Sequence, residues 1–341
     1  MTTGVPTASV TTWVSWRWVA GVWAVVAGFA AVTVFWSFHV DLPLRDPEGR
    51  MFRRRLTTAV VSLAVLVVAQ AVVRSLRTQR SLRGVPEALR AHWPRERVLL
   101  VVSGLLAYHV VYVCYRNLKS WNAFRTLRDD GLLEFETWLF LGHTPAALLH
   151  DLLGQGAAAV VLTVVYRSFT YLVPFSVVGS LVFVERVRDA YVFLTAAMFV
   201  WILGAGSYYL LPSLGPFATA PADFSGLQPT AITSSQAAYL TERAHILANP
   251  GAGEAFASLG AFASLHVAFT CMVLLMLRHY RVPGVVQLFG LAYLLATMVA
   301  TVYFGWHYVV DDVAGVAIAI FSVALGRALV LSGGREAEDH A

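Results

Sequence analysis

Eight apolar runs, each bounded by charge or by Pro and Gly, set what this chain can fold into. They cover about residues 18–40, 56–73, 98–115, 168–184, 190–211, 264–277, 285–304 and 307–331. A helix rises 1.5 Å per residue, so about 20 residues cross a hydrocarbon core. In lipid every backbone N–H and C=O must be satisfied within the chain, which leaves helices as the solution for runs of this length. Composition agrees: 58% of residues are apolar and 13% charged, where soluble domains sit near 45–50% and about 25%. A disordered chain, a coiled coil and an ordinary soluble enzyme are excluded. The expected fold is an all-α integral membrane protein.

The run at 157–166 is too short to span alone and reads as an interfacial segment or an extension of the helix that follows. The run at 18–40 is longer than a signal-peptide core and ends without a small-x-small cleavage site, so it reads as an uncleaved membrane helix. No internal repeat is evident. The first two spans look like an appendage, which divides the chain into an N-terminal extension (1–97), a six-helix catalytic core (98–331) and a polar tail (332–341). Two long stretches do not span. Residues 116–156 hold a candidate amphipathic helix with Leu132, Leu133, Phe135, Trp138 and Leu139, a pattern that lies in the interface plane. Residues 212–260 are rich in Pro, Gly, Ser and Ala and read as a loop with one or two helical turns. Cys114 and Cys271 both lie in apolar runs, which excludes a disulfide scaffold or a thiolate metal cluster. Of the 25 basic residues, Lys119 is the one lysine.

Parity places Lys119 (the end of the third span), His266 (the start of the sixth) and His307 (the start of the eighth) on one membrane face, together with both long loops. The opposite face carries 14 basic residues against 11. Cytoplasmic loops are enriched in Lys and Arg, so the Lys119/His266/His307 face is expected to point outward. Arg53, Arg54 and Arg55 run against that bias. The preference for Arg over Lys suggests a high-GC bacterial genome and hence a cell-membrane location.

Three segments carry candidate chemistry. In FGWHYVVDDVAG (304–315), His307 and Asp311 are four apart and share a helix face. A carboxylate there can fix one ring nitrogen of His307 and leave the other as base or nucleophile. In FASLHVAF (262–269), His266 follows Ser264 at the mouth of an apolar helix, whose free N–H groups favour a bound phosphate. In YRNLKSWNAFR (115–125), Arg116, Lys119 and Arg125 offer charge-assisted donors just beyond a span. Two His, one Asp and several cations on one face are the parts of metal-independent phosphoryl transfer.

At these residues the chain resembles the phosphatidic acid phosphatase type 2 superfamily, and within it the inositol phosphorylceramide synthase-like (inositolphosphotransferase) branch. The likeness rests on YRNLKSW (115–121), SYYLLPSLGPF (207–217), SLH (264–266) and GWHYVVDDVAG (305–315) and covers about residues 100–330. It implies a six-helix core with the site near one interface. It also implies His307 as the nucleophile that becomes phosphohistidine, Asp311 as its orienting carboxylate and His266 as the acid and then the base. Lys119, Arg116, Arg125 and Ser264 are the expected phosphate-binding residues. No metal and no cofactor is expected. The expected partners are a phospholipid donor, a lipid or polyol acceptor and the bilayer, with no nucleic acid.

The chain departs from the superfamily pattern in places. The usual Pro-Ser-Gly-His is Ala263-Ser264-Leu265-His266, and the Arg expected six residues before the nucleophilic His is Thr301. A dianionic monoester needs more positive charge than a diester. The missing Arg therefore favours transfer of a phospho-headgroup from a phosphodiester lipid over hydrolysis of a lipid phosphate, with Arg116, Arg125 or Arg243 as substitutes if hydrolysis is the reaction. A transporter would need ionisable groups along several spans, and these spans are nearly free of them. A zinc hydrolase built on His307, Asp311 and His266 is a further alternative.

Overall fold

The computed structural model describes residues 17–258 and 260–331. In chain order the helices are α1 (Arg17–Val40), α2 (Arg50–Gln79), α3 (Val85–His92), α4 (Arg95–Trp121), α5 (Asp129–Leu139), α6 (Pro145–Leu153), α7 (Ala157–Phe183), α8 (Val187–Leu210), α9 (Pro216–Thr219), α10 (Ala231–Ala248), α11 (Leu265–His279), α12 (Gly284–Tyr303) and α13 (Val309–Leu331). No strand occurs among the described residues. Seven of these helices are long and apolar enough to cross a membrane, and α11 is a shorter apolar helix. The eight runs of the sequence thus correspond to α1, α2, α4, α7, α8, α11, α12 and α13, and the chain is an all-helical integral membrane protein.

Local chemistry sets the boundaries. Pro94 and Pro283, extended in backbone, precede α4 and α12, and Pro212 follows the end of α8, where a proline cannot continue a helix. Residues 157–166 extend α7 rather than lie apart. Pro174 sits inside α7, and Ser168 and Ser176 turn their hydroxyls onto the carbonyls of Val165 and Val173. Residues 231–248 form a helix of five turns where the sequence reads as loop. Thr230 opens it with a capping box to Thr233, a local device that outweighs the Pro/Gly-rich surroundings.

The helix α11 sits among α8, α12 and α13, its Phe269, Met272 and Met276 fully buried. At 15 residues it is about 22 Å long, well short of the bilayer core. Its N-terminus is packed within the bundle, with Ser264 and Leu265 buried. The residues of α1 that face inward (Trp18, Val22, Val26) belong to the same buried cluster as α4, α8, α11 and α13. Arg45, in the α1–α2 loop, is buried: its N–H donates to Asn117 Oδ1 of α4 (2.6 Å), and its guanidinium donates to the carbonyls of Pro250 and Ala252. The polar tail 332–341 and the first 16 residues lie outside the described residues. Helix α5 is amphipathic, as its sequence predicts. Leu132 is buried, while Phe135, Trp138 and Leu139 are exposed, an outward apolar edge suited to the membrane interface.

Candidate active site

A cavity of about 480 Å³ opens between α2, α4, α7, α8 and α10, and Lys119, His266 and His307 meet in its lining. Each arrives from a different helix terminus. Lys119 stands in the last turn of α4. His266 is the second residue of α11, whose N-cap Ser264 accepts a hydrogen bond from the Val267 N–H (3.4 Å). His307 sits in the turn between α12 and α13. The His266 and His307 ring centroids are 6.1 Å apart. Tyr166 of α7 stacks on His266 (4.3 Å) and on Trp306 (5.7 Å), and Phe169 packs 4.2 Å from His266, so the imidazole is wedged in one orientation. Lys119 Nζ lies 4.8 Å over the Tyr208 ring, a cation–π contact that holds the ammonium with no carboxylate partner among the described residues.

The turn that carries His307 is shaped by close backbone approach. Gly305 has φ +67°, and a Cβ there would meet Phe224 at 2.3 Å. Gly215 has φ +107°, and a Cβ there would meet the Trp306 carbonyl at 2.5 Å. Phe217 N–H donates to Gly305 C=O (3.0 Å) across this contact. The SYYLLPSLGPF and GWHYVVDD segments are therefore pressed backbone to backbone, which only Gly allows at these angles.

Two buried acids of α5 hold the same turn from the other side, and sequence reasoning missed both. Asp129 accepts from the N–H groups of Leu214 and Gly215 (2.9 Å each) and from Tyr308 Oη (3.1 Å). Glu136 accepts from the Val309 N–H (2.5 Å), the first residue of α13. Burial pushes the Glu136 carboxyl up to about 7, against the lowering effect of the Val309 N–H and with the Asp311 charge adding to the rise. Burial likewise raises Asp129, opposed by its two backbone donors. The available signal was spacing: Asp129, Leu132 and Glu136 fall at i, i+3 and i+7 of an amphipathic helix, on the stripe that is buried.

The carboxylate beside His307 is not a single residue. Asp311 Oδ2 lies 3.4 Å from His307 Nδ1, longer than a charge-assisted hydrogen bond, and neither His307 Nδ1 nor Asp311 Oδ1 has a hydrogen-bond partner among the described residues. Asp311 Oδ2 instead accepts from the Tyr308 N–H (2.9 Å), and its backbone carbonyl accepts from Ser264 N–H (3.0 Å). It thereby caps α13 and pins the start of α11 to it. Asp312 is equally buried. It accepts from Thr301 Oγ1 (3.0 and 3.3 Å), and Asp312 and Lys119 are the charged groups acting on the His307 ring. Thr301, standing where the superfamily pattern has Arg, is thus engaged with a carboxylate and supplies no positive charge.

Of the other expected residues, Arg116 lines the cavity with its guanidinium 3.3 Å from Ser258 Oγ. Ser264 is buried behind the cavity as a helix cap. Arg125 is exposed and lines a separate groove with Trp36 and Tyr209. Arg243 donates to the Ala123 carbonyl (3.0 Å) outside the cavity, and His245 is exposed beside Asn249. Among the described residues no three His, Cys, Asp or Glu side chains cluster closely enough to hold a metal ion.

A family model described as the PAP2 superfamily matches residues 130–325, more than half of the chain. The match contains His266, His307 and the α5 acid Glu136 and stops short of α1, α2 and α4. No curated protein and no solved structure matches the chain.

Proposed function

Since the chain belongs to the PAP2 superfamily, which makes it an integral membrane protein of phosphatase or phosphotransferase type, we propose that it moves a phospho-headgroup from a phospholipid to a hydroxyl acceptor through a phosphohistidine on His307. The observation that carries this reading is the meeting of Lys119, His266 and His307 in one cavity, from three helix termini. In the first step His307 Nε2 attacks phosphorus and His266 gives a proton to the leaving lipid alkoxide. In the second, the acceptor hydroxyl attacks the phosphohistidine, His266 takes its proton, and a new phosphodiester forms. Lys119 balances charge on the equatorial oxygens, and Asp311 and Asp312 stabilise the cationic imidazole. The step order requires no metal. Thr301, tied to Asp312 in place of a cradle Arg, favours a monoanionic diester as donor, phosphoinositol lipids among them.

With water as acceptor the same residues make a lipid-phosphate phosphatase. The observation on that side is Arg116, three residues from Lys119 and in the same cavity, a second cation for a monoester. The Arg bias toward the opposite face supports an outward-facing site in a bacterial cell membrane. The discriminating experiment incubates purified protein in mixed micelles with phosphatidylinositol, phosphatidic acid and a panel of lipid alcohols, with EDTA present. A new phosphodiester in the wild type and not in His307→Ala supports the transferase. Free phosphate without a new diester supports the phosphatase, and loss of all turnover in EDTA alone overturns metal independence.

A further inference from the structure

The cavity holds more positive charge than one phosphodiester uses. Besides Lys119 and Arg116, its lining includes Arg55 of α2 and Arg167 of α7, and no Asp or Glu among the described residues. Both arginines stand on membrane-spanning helices. Arg167 lies ten residues into α7, about 15 Å along its axis, and makes no ion pair or hydrogen bond among the described residues. An arginine on an apolar helix is costly in lipid unless it faces a polar cavity or meets an anion, and Arg167, an exposed residue of α7, lines this cavity. The Arg55 guanidinium lies over the Tyr112 ring, 3.8 Å from its centroid. Its Nε is buried with no hydrogen-bond partner among the described residues. Stacking on an aromatic face leaves the edge of the guanidinium fork free for a bidentate acceptor.

These two arginines stand on helices that carry none of Lys119, His266 and His307. The charged groups acting on the His266 ring are His307 and Lys119, and those acting on His307 are Asp312 and Lys119. Arg55 acts instead on Tyr108, His109 and Tyr115 of α4. The cavity therefore has a reacting end, near Lys119, and an arginine end between α2 and α7. The N-terminal helices are held against the core by the buried Arg45, which bonds α4 and the 250–252 carbonyls. That anchorage keeps α2 in place as a wall of the cavity.

We propose that Arg55 and Arg167 form a second anion subsite, which takes a further phosphate on the headgroup of the same amphiphile whose first phosphate reaches His307. The proposal rests on the phosphotransfer reading for the first phosphate. It gives the two N-terminal helices a role in substrate choice, and it makes the substrate class a lipid carrying two separated anionic groups.

The test uses the full chain with His307→Ala, which blocks turnover, in nanodiscs of neutral phosphatidylcholine. Phosphatidylinositol and phosphatidylinositol 4-phosphate are titrated in, and binding is read by tryptophan fluorescence. The expected result is about tenfold tighter binding of the doubly anionic lipid, the scale of one net charge-assisted contact. Arg55→Gln and Arg167→Gln each move that ratio toward one, and Arg55→Lys and Arg167→Lys keep most of it. Equal affinity for the two lipids in the parent protein overturns the subsite, even where a Gln variant fails to fold. A preference that survives in the double Gln variant overturns it as well. Product analysis of the wild type separates the two ideas. A preference without phosphodiester product removes the transferase and keeps the subsite, and product without preference does the reverse.

Discussion

The two ends of the cavity are built on opposite principles. At the histidine end, each residue is held in place: Asp311 by Tyr308 and Ser264, Asp312 by Thr301, the Tyr308 hydroxyl by Asp129, the Val309 N–H by Glu136, and the His266 ring by Tyr166 and Phe169. At the arginine end, Arg55 rests on one ring and Arg167 on nothing among the described residues. Reacting groups need positions held to a fraction of an ångström, and the dense hydrogen bonding supplies that. Long cations that recognise a headgroup can adjust. The contrast places the reacting groups on a densely bonded wall and the proposed headgroup contacts on a looser one of the same cavity.

Substitutions sharpen or break this contrast according to which wall they touch. The largest effect is expected from His307→Ala, with turnover falling by about 10⁴-fold or more while the thermal midpoint in detergent stays close to wild type. A residual rate within tenfold of wild type would break the contrast at its root. Asp312→Asn and Asp311→Asn come next. Removing the charge nearest to His307 costs about 10²–10³-fold in kcat on the scale of one preorganised electrostatic partner. Asp312→Asn is expected to lower kcat with little change in thermal midpoint, whereas Asp311→Asn lowers both, because Asp311 also caps α13. Equal thermal losses in the two variants would show that Asp312 is structural as well.

A smaller effect is expected from Tyr308→Phe, which removes one of three hydrogen bonds to Asp129. We expect about a tenfold loss or less in kcat with KM unchanged, measured by initial rates in mixed micelles. A change confined to KM would place Asp129 on the binding side instead. The smallest effect is on pH dependence. Glu136 holds its proton up to about 7 in the folded protein, against an ordinary value near 4.3 in an unfolded chain. Between those values the folded state binds a proton that the unfolded state has lost, so stability from this group falls as pH rises through the window. The thermal midpoint of wild type relative to Glu136→Gln is expected to fall from pH 5 to pH 8, and a flat difference would contradict the burial argument.

Much of the scaffold was legible because lipid imposes length and composition on each helix. The runs at 18–40 and 285–304 match α1 and α12 to within a residue or two. The missed elements are those where a local device decided. Residues 231–248 are Ala- and Ser-rich, and the Thr230 cap starts a helix that their surroundings hide. The start of α7 was cut short because Arg167 reads as a boundary in sequence, whereas in three dimensions it faces a cavity. Lys119, His266 and His307 stand out in sequence from their motifs, side parity puts them on one face, and all three line one cavity. Asp129 and Glu136 were not, because their partners lie more than 80 residues away in the chain. The sequence places Arg55 on the site face, against the charge bias, but nothing in it tells that α2 borders the cavity. Arg125, read as a phosphate ligand, points to a different groove, since the 3₁₀ turn at Asn122–Phe124 carries the chain away from the cavity.

The central claim is that His307 carries the phosphoryl group between donor and acceptor. The most direct measurement is a rapid acid-free quench of wild-type protein with a donor lipid labelled with ³²P, followed by digestion and mass spectrometry. The account predicts a base-stable, acid-labile phosphoryl adduct on the peptide containing His307. It should form within one turnover, disappear on addition of acceptor as labelled diester forms, and be absent in His307→Ala. Labelled product formed at the normal rate with no adduct on His307, or with the adduct on His266 instead, would contradict it.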